Sequence, residues 1–216
     1  MVTNAEIIRF LKSKSIAGSF VDGLKIRYRP LVCPFQALFA FVQPGDKVVD
    51  IGCGSGQFCL LLNKFTPVGS LYGIEITERL ISNAKTLFAS EAGAKPHAFE
   101  VYNGTDFPAR VGEGNLVYLI DVLHHVPKPL QEKFIYNLYA AMAPGAKLIL
   151  KDINRASPLV VFNKIHDLVF SGEIGNEKSL SETAEICKKA GFGILSTFTK
   201  RTAVYPHYFL VLEKAL

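Results

Sequence analysis

Short apolar segments alternate with helical segments along the middle of the chain, and this alternation constrains the fold more than any other feature. The predicted strands are Lys47–Ile51, Ser70–Glu75, Ala98–Tyr102, Leu116–Asp121 and Lys147–Asp152. Residues 116–120 (LVYLI) are apolar on both faces of their strand, as in parallel sheets that helices cover on each side. Repeated βα units with such strands predict a doubly wound α/β sheet.

Helical periodicity fills the segments between and around these strands. The predicted helices are Asn4–Lys14, Phe35–Val42, Gly56–Lys64, Glu78–Ser90, Pro129–Met142, Leu159–Phe170 and Ser179–Ala190. The last two β segments, Ile194–Phe198 and His207–Leu212, have no helix between them, so we expect an antiparallel hairpin at the edge of the sheet. The connection Asn154–Glu177 is longer than a simple loop, and long connections commonly carry binding function.

The length of 216 residues suits one domain with a substantial core. We expect an N-terminal helical cap over 1–43, a cofactor-binding core over 44–153, an inserted connection over 154–177, and a closing helix and hairpin over 178–216. The N-terminus lacks the layout of a signal peptide, and no apolar stretch reaches the ~20 residues of a membrane span. The four cysteines show no metal-binding spacing, so reduced thiols in a cytoplasmic protein are the simplest interpretation.

The net charge of +5 is concentrated near the N-terminus, where residues 1–32 hold six basic and two acidic side chains. A basic arm could meet an anionic substrate, a nucleic acid or a lipid surface. A solvated helix face is the plainer alternative. Charge alone therefore does not name a partner.

A glycine-rich segment, Val48–Phe58 (VVDIGCGSGQF), joins the first strand to the helix that follows it. Gly52, Gly54 and Gly56 allow a tight turn and let the backbone approach a ligand without interference from a Cβ atom. The helix N-terminus behind them offers unpaired N–H groups and a partial positive charge. The third glycine does not fit the dinucleotide fingerprint, and no Gly-Lys-Ser/Thr follows as in a phosphate-binding P-loop.

Two carboxylates narrow the choice of ligand. Asp50 stands just before the glycines, where it would repel a pyrophosphate but attract the ammonium of a methionine moiety, directly or through water. Glu75 ends the second strand, where a carboxylate can accept the hydroxyl groups of a ribose. Asp50 suits an ammonium group, the glycines allow a ligand to lie close to the backbone, and Glu75 suits a ribose. Together these features indicate S-adenosylmethionine as the cofactor.

Four segments, VVDIGCGSGQF (48–58), LYGIEI (71–76), LVYLIDVLHHVP (116–127) and MAPGAKLILKDI (142–153), resemble the successive motifs of class I (Rossmann-like) S-adenosylmethionine-dependent methyltransferases. The resemblance covers roughly residues 40–153. It implies a seven-stranded, mostly parallel sheet of order 3-2-1-4-5-7-6, with strand 7 antiparallel and helices on both faces.

The resemblance also implies roles for individual residues around the cofactor. Asp50, Gly52, Gly54 and Gly56 would line the methionine end, Glu75 would hold the ribose, Ile76 would border the adenine, and Asp121 with Val122 would close the pocket after strand four. The family's acid after strand three has no unique counterpart here, since either Asn103 or Asp106 could contact the adenine.

Methyl transfer from a sulfonium needs positioning first, and a general base only when the nucleophile carries a proton. The candidates at the carboxyl ends of strands four and five are His125 and Asp152, although His124-His125 could also serve only in capping or packing. His124, Lys151, His166, Tyr205 and His207 complete the set considered. No matched acids or His/Cys ligands appear at metal-binding spacing, so we expect no metal.

The expected acceptor is a small molecule or a lipid-like precursor, methylated on O, N or C. The Asp/Asn-Pro-Pro-aromatic loop of many DNA adenine and protein glutamine methyltransferases is absent after strand four, and a nucleic acid is not the expected partner. Alternatives are an RNA- or protein-directed methyltransferase, based on the basic arm, and a catalytically silent cofactor-binding module. We expect the acceptor site under the N-terminal segment and residues 154–177, with Arg27, Arg29 and Lys164 facing an anionic group.

Overall fold

The computed structural model describes residues 2–14, 23, 26–171 and 175–216. Seven strands form one sheet in the order β3-β2-β1-β4-β5-β7-β6. Strand β7 (Tyr205–Lys214) runs antiparallel to both of its neighbours. The predicted sheet order and the antiparallel seventh strand are therefore confirmed. The chain divides into two compact units, Met1–Gly104 and Thr105–Leu216, and the assignment of the whole chain to a single domain stays a prediction.

The first unit holds three parallel strands, β1 (Lys47–Ile51), β2 (Ser70–Glu75) and β3 (His97–Val101). Its helices are α1 (Asn4–Lys12), α2 (Phe35–Phe39), α3 (Gln57–Phe65) and α4 (Glu78–Ala89), with a 3-10 turn at Arg29–Leu31. Stacked rings of Phe35, Phe39 and Phe58 join α2 to α3. The glycine-rich segment after β1 thus leads into a helix, α3, that packs against α2 through aromatic rings.

Helix α1 shows how the local sequence sets a helix start. The Thr3 hydroxyl accepts the N–H of Glu6, and the Glu6 carboxylate accepts the N–H of Thr3, so the two residues form a capping box. Ile7 and Leu11 are fully buried four residues apart, on one face of the helix. The N-terminal segment therefore contributes to the core of its unit.

The second unit holds β4 (Leu116–Ile120), β5 (Lys147–Ile153), β6 (Phe192–Thr202) and β7. Its helices are α5 (Gln131–Ala141), α6 (Val160–Ser171) and α7 (Leu180–Ala190), with 3-10 turns at Ala109–Glu113, Leu123–His125 and Lys128–Leu130. All five residues of β4 are buried, as its apolar sequence predicted. Helix α6 lies within the predicted insertion.

The hairpin is longer than its predicted apolar segments. Residues 199–202 continue β6 because their backbone pairs with residues 205–208 of β7, although their side chains are polar and mostly exposed.

The helix predicted over Phe35–Val42 ends instead at Phe39, before Ala40. The histidine pair after β4 lies in a 3-10 turn and begins no α-helix.

Within the described ranges, no helix combines the length and the apolar character that crossing a membrane requires. The four cysteines, Cys33, Cys53, Cys59 and Cys187, are buried and carry reduced thiols. Lys25 and the side chains of His166 and Phe170, which belong to the predicted acceptor and catalytic sets, lie outside the described residues.

Candidate active site

The glycine loop between β1 and α3 depends on left-handed backbone conformations. Gly52, Gly54 and Gly56 have φ values of 74°, 55° and 76°, a region that residues with a Cβ atom rarely adopt. The N–H groups of Gly52 and Cys53 both donate to the carbonyl of Ile74, at 2.8 and 3.0 Å. The loop is therefore anchored to β2 and turns sharply into α3.

Two of these glycines have different surroundings. A Cβ atom on Gly56 would lie 2.9 Å from Cβ of Ala84 and 3.3 Å from its Cα, so this glycine permits close packing of the loop against α4. A Cβ atom on Gly54 would meet nothing within 4 Å. The backbone at Gly54 thus borders open space that a ligand can fill, which fits the predicted cofactor cradle.

Glu75, at the end of β2, links the glycine loop to the next turn. Its Oε2 accepts the N–H of Gly54 at 3.2 Å, and its Oε1 accepts the N–H groups of Ile76 and Thr77 at 2.9 and 3.1 Å. A carboxylate has about four acceptor positions, so these three bonds leave capacity for a further donor. The side chain is partly exposed, as the predicted contact with a ribose requires.

Asp50 is 3% exposed at the end of β1. Its Oδ2 accepts the Sγ–H of Cys59 at 3.5 Å. Burial raises the pKa of Asp50 to about 7, against the opposing effects of the Cys59 hydrogen bond and the positive charge of Arg29. A buried acid of this kind gains a great deal from a nearby cation, because the cation stabilises the ionised form.

The residues predicted to border the adenine are exposed. Ile76 is 60% exposed directly after Glu75, so an apolar surface is available beside the carboxylate. Asn103 is exposed after β3 in the first unit, and Asp106 is exposed in the second unit. The choice between Asn103 and Asp106 stays open.

In the second unit, Asp121 follows β4 with φ 56°, a left-handed value that is uncommon for a residue with a side chain. The Lys151 ammonium donates to both of its carboxylate oxygens, at 2.6 and 2.7 Å. Val122, the next residue, is partly buried and immediately precedes the 3-10 turn. The sequence drew attention to Asp121 and Val122 but not to the pairing with Lys151.

The two predicted general bases, His125 and Asp152, differ in exposure and in their partners. Asp152 is 2% exposed and accepts both the Nδ1 proton of His124, at 2.5 Å, and the His124 backbone N–H, at 3.2 Å. His124 is 3% exposed, whereas His125 is exposed. Asp152 therefore pairs with His124, and a catalytic role for His125 or Asp152 stays a prediction.

Gln131, which sequence reasoning missed, fixes the turn that contains these histidines. Its Nε2 contacts the carbonyl oxygens of Leu123, Val126 and Asn176 at 2.9, 3.2 and 2.9 Å. The N–H of Asn176 donates to the carbonyl of His124 at 2.7 Å. The end of the inserted connection is thereby bonded to the turn after β4. The sequence signal that could have indicated this role is the position of Gln131, a polar residue at the start of α5 that follows Pro127 and Pro129.

No group of three or more His, Cys, Asp or Glu side chains suited to a metal ion occurs among the described residues. Among the described carboxylates of the candidate site, Asp121 contacts Lys151, Asp152 contacts His124, and Glu75 accepts backbone N–H groups.

Known proteins with similar sequences include methyltransferases. A family model described as a methyltransferase domain matches residues 25–197. Arsenite methyltransferase of Halobacterium salinarum is 23% identical over 176 residues, which cover 81% of this chain and 44% of that protein. Chloroplastic tocopherol O-methyltransferase of Arabidopsis thaliana is 31% identical over 105 residues, which cover 48% of this chain and 29% of that protein. The chain spans less than half the length of each of these two relatives.

Among solved structures, magnesium protoporphyrin IX methyltransferase from Synechocystis, with bound S-adenosylhomocysteine, superposes with a TM-score of 0.70 at 21% identity. The match covers 98% of this chain and 94% of that chain. At this level of identity the likeness concerns the fold, and it includes the sheet order that the motifs implied.

Proposed function

This chain belongs to the methyltransferase-domain family, and from that premise we propose that it transfers a methyl group from S-adenosylmethionine to a small-molecule or lipid-like acceptor. The observation that carries the proposal is the left-handed glycine loop, bonded to Glu75 and bordered by open space at Gly54. When bound, S-adenosylmethionine supplies an activated methyl carbon, which bonds to the acceptor as the carbon–sulfur bond breaks and leaves its electron pair on sulfur.

The chain's own residues would bind and orient the cofactor. Gly52, Gly54 and Gly56 give its methionine part close access to the backbone, and the ionised form of Asp50 attracts its ammonium group. Glu75 accepts a ribose hydroxyl, and Ile76 covers one face of the adenine. Asp121 and Val122 border the cofactor after β4, and Asn103 is the residue proposed to contact the adenine.

The acceptor side of the proposal rests on helix α6. Val161, Phe162, Ile165 and Leu168 are 43–55% exposed on this helix, and such a surface suits an acceptor with an apolar body. Lys164 bonds the buried Glu177 at 2.8 Å, so its charge is already compensated. Arg27, whose buried Nε has no hydrogen-bond partner among the described residues, is the better candidate for an anionic group.

The basic arm supports an RNA-directed alternative less than its composition suggests. Lys14 forms an ion pair with Glu91, and the Arg29 guanidinium lies 5.9 Å from the centre of the Phe35 ring. Two of the arm's cations therefore have intramolecular contacts. The small-molecule proposal is the one that the described residues favour.

Calorimetric titration tests the cofactor directly. We expect S-adenosylmethionine and S-adenosylhomocysteine to bind and to raise the melting temperature, because any ligand that binds only the folded state stabilises it. NAD should not bind, since Asp50 repels a pyrophosphate. Binding of NAD without binding of either sulfur compound would contradict the proposal.

Replacement of Glu75 by alanine should weaken cofactor binding by roughly 1–3 kcal/mol, the usual scale for loss of charge-assisted hydrogen bonds. The residue ends a strand and is partly exposed, so the fold should persist. The matched control is Glu78→Ala, because Glu78 is an exposed acid at the start of α4. Equal affinities in wild type and Glu75→Ala, measured by calorimetry, would show that the ribose assignment is wrong.

A further inference from the structure

Lys151 is a fully buried cation whose ammonium contacts one carboxylate at both oxygens. The residue is 1% exposed, and its Nζ lies 2.6 and 2.7 Å from the two oxygens of Asp121. The backbone carbonyl of Lys151 also accepts the N–H of Asp121 at 2.9 Å. Lys151 therefore holds Asp121 through both its main chain and its side chain.

The two partners differ in exposure. The side chain of Asp121 is 22% exposed, whereas that of Lys151 is 1% exposed. Asp121 also has a left-handed backbone, with φ 56°, and backbone strain of this kind clusters at functional sites. The carboxylate is thus the end of the pair that a ligand can reach, and the ammonium is its buried counter-charge.

Stability alone gives little reason for this pair. Removing two charges from water is costly, and replacing a buried ion pair by apolar residues of similar volume is often neutral or stabilising. A simple apolar contact between β4 and β5 would serve the sheet as well. A charged ligand bound beside the partly exposed Asp121 carboxylate would give the pair a function.

We propose that Lys151 is a positioning residue that sets the charge Asp121 presents to the cofactor, and thereby the relative affinities for S-adenosylmethionine and S-adenosylhomocysteine. The inference rests on the proposed function, which includes the proposed contact of Asp121 with the cofactor. Only S-adenosylmethionine carries the positive sulfonium. With Lys151 present, the pair is neutral overall and holds both compounds similarly; without it, a bare carboxylate favours the sulfonium.

The neutral overall charge of the Asp121–Lys151 pair would favour methyl transfer. Methyl transfer would remove the positive charge from the sulfonium, so an uncompensated Asp121 carboxylate would stabilise the bound reactant more than the transition state. Binding that is strongest in the ground state does not accelerate a reaction. By compensating Asp121, Lys151 keeps the site from holding the charged reactant too tightly.

Four proteins test the proposal by calorimetry: wild type, Lys151→Met, Asp121→Asn and the double variant. The measured quantity is the ratio of the dissociation constants for S-adenosylhomocysteine and S-adenosylmethionine. We expect Lys151→Met to raise this ratio about three- to tenfold, and Asp121→Asn to lower it by a similar factor, because each leaves one charge uncompensated. The double variant, neutral again, should lie within about twofold of wild type.

Two controls separate charge from structure. Lys147→Met makes the same substitution at the exposed start of β5 and should leave the ratio unchanged. Lys151→Arg keeps the positive charge and should also keep the ratio. Where Lys151→Met does not fold, Lys151→Gln, purified with S-adenosylhomocysteine as a stabilising ligand and then dialysed, makes the same change of charge.

The outcomes are distinct. If the variants lose affinity for both compounds in equal proportion, the ratio does not move and Lys151 has only a structural role, which overturns the proposal. An unchanged ratio in Lys151→Gln overturns it equally. If wild type binds neither compound, the proposed function itself fails before the variants are compared.

Discussion

Replacement of Gly56 by valine is expected to lower the free energy of unfolding by more than about 3 kcal/mol. The backbone at Gly56 has φ 76°, which is an outlier for a β-branched residue. The new Cβ would also lie 2.9 Å from Cβ of Ala84, a fully buried residue of α4. Because α3 begins at the next residue, relief of this overlap must move a helix. Urea unfolding followed by circular dichroism measures the loss.

Gly54→Ala is the informative counterpart. Gly54 also has a left-handed backbone, with φ 55°, but its new Cβ would meet no atom within 4 Å. We expect a loss of only about 1–2 kcal/mol from backbone strain and a loss of at least about tenfold in affinity for S-adenosylmethionine, because the methyl group occupies the cradle. Normal binding by Gly54→Ala would show that the cofactor does not approach this glycine.

The parallel core of the sheet could be predicted because its strands carry their own signal. β1 and β2 have the predicted bounds, Lys47–Ile51 and Ser70–Glu75. Each holds a short run of apolar residues, with an acid as the last residue of β2 and as the residue before the last of β1, and buried parallel strands favour such apolar runs. Local sequence and tertiary environment agree here, so the pattern alone was sufficient.

The hairpin could not be predicted to its full length, because its outer part is held by pairing between distant residues. Residues 199–202 contain two threonines, a lysine and an arginine, and no apolar alternation indicates a strand. Their extended backbone follows from hydrogen bonding to β7, which itself lies between β5 and β6. Register across a sheet is not visible in a local pattern.

The candidate site likewise contains residues that the local sequence predicted and contacts that it could not predict. The glycines, Asp50 and Glu75 lie in one short stretch or at a strand end, and their spacing was informative. The Asp121–Lys151 and His124–Asp152 contacts depend on the register of β4 against β5, in which Ile120 lies opposite Lys151. Two adjacent histidines look equivalent in sequence, and the 3-10 turn determines that His124 is the buried one.

Replacement of Asp50 by asparagine is expected to stabilise the protein at neutral and alkaline pH while it weakens cofactor binding. Burial raises the pKa of Asp50 from 3.8 to about 7, so the folded state binds more protons than the unfolded state between these values. The wild-type free energy of unfolding must then fall as pH rises through that window and level off above it. Asparagine does not titrate, so this loss disappears.

The gain should therefore be absent near pH 4 and reach up to about 4 kcal/mol at pH 8, since one unit of pKa shift corresponds to about 1.4 kcal/mol. Unfolding curves at a series of pH values measure it. The wild-type affinity for S-adenosylmethionine should rise between pH 6 and 8 as Asp50 ionises, because the carboxylate attracts the ammonium. In Asp50→Asn this rise should vanish and the affinity should stay low.

Asp46→Asn is the matched control, because Asp46 precedes the opposite end of β1 and is also buried, at 9% exposure. Its carboxylate accepts the N–H of Gln43 at 2.7 Å. Asparagine should weaken this hydrogen bond, so we expect Asp46→Asn to lose stability by about 1 kcal/mol and to bind the cofactor normally. If Asp50→Asn instead lost stability at pH 8 and bound S-adenosylmethionine as tightly as wild type, Asp50 would act as a structural acid and would not attract the cofactor's ammonium.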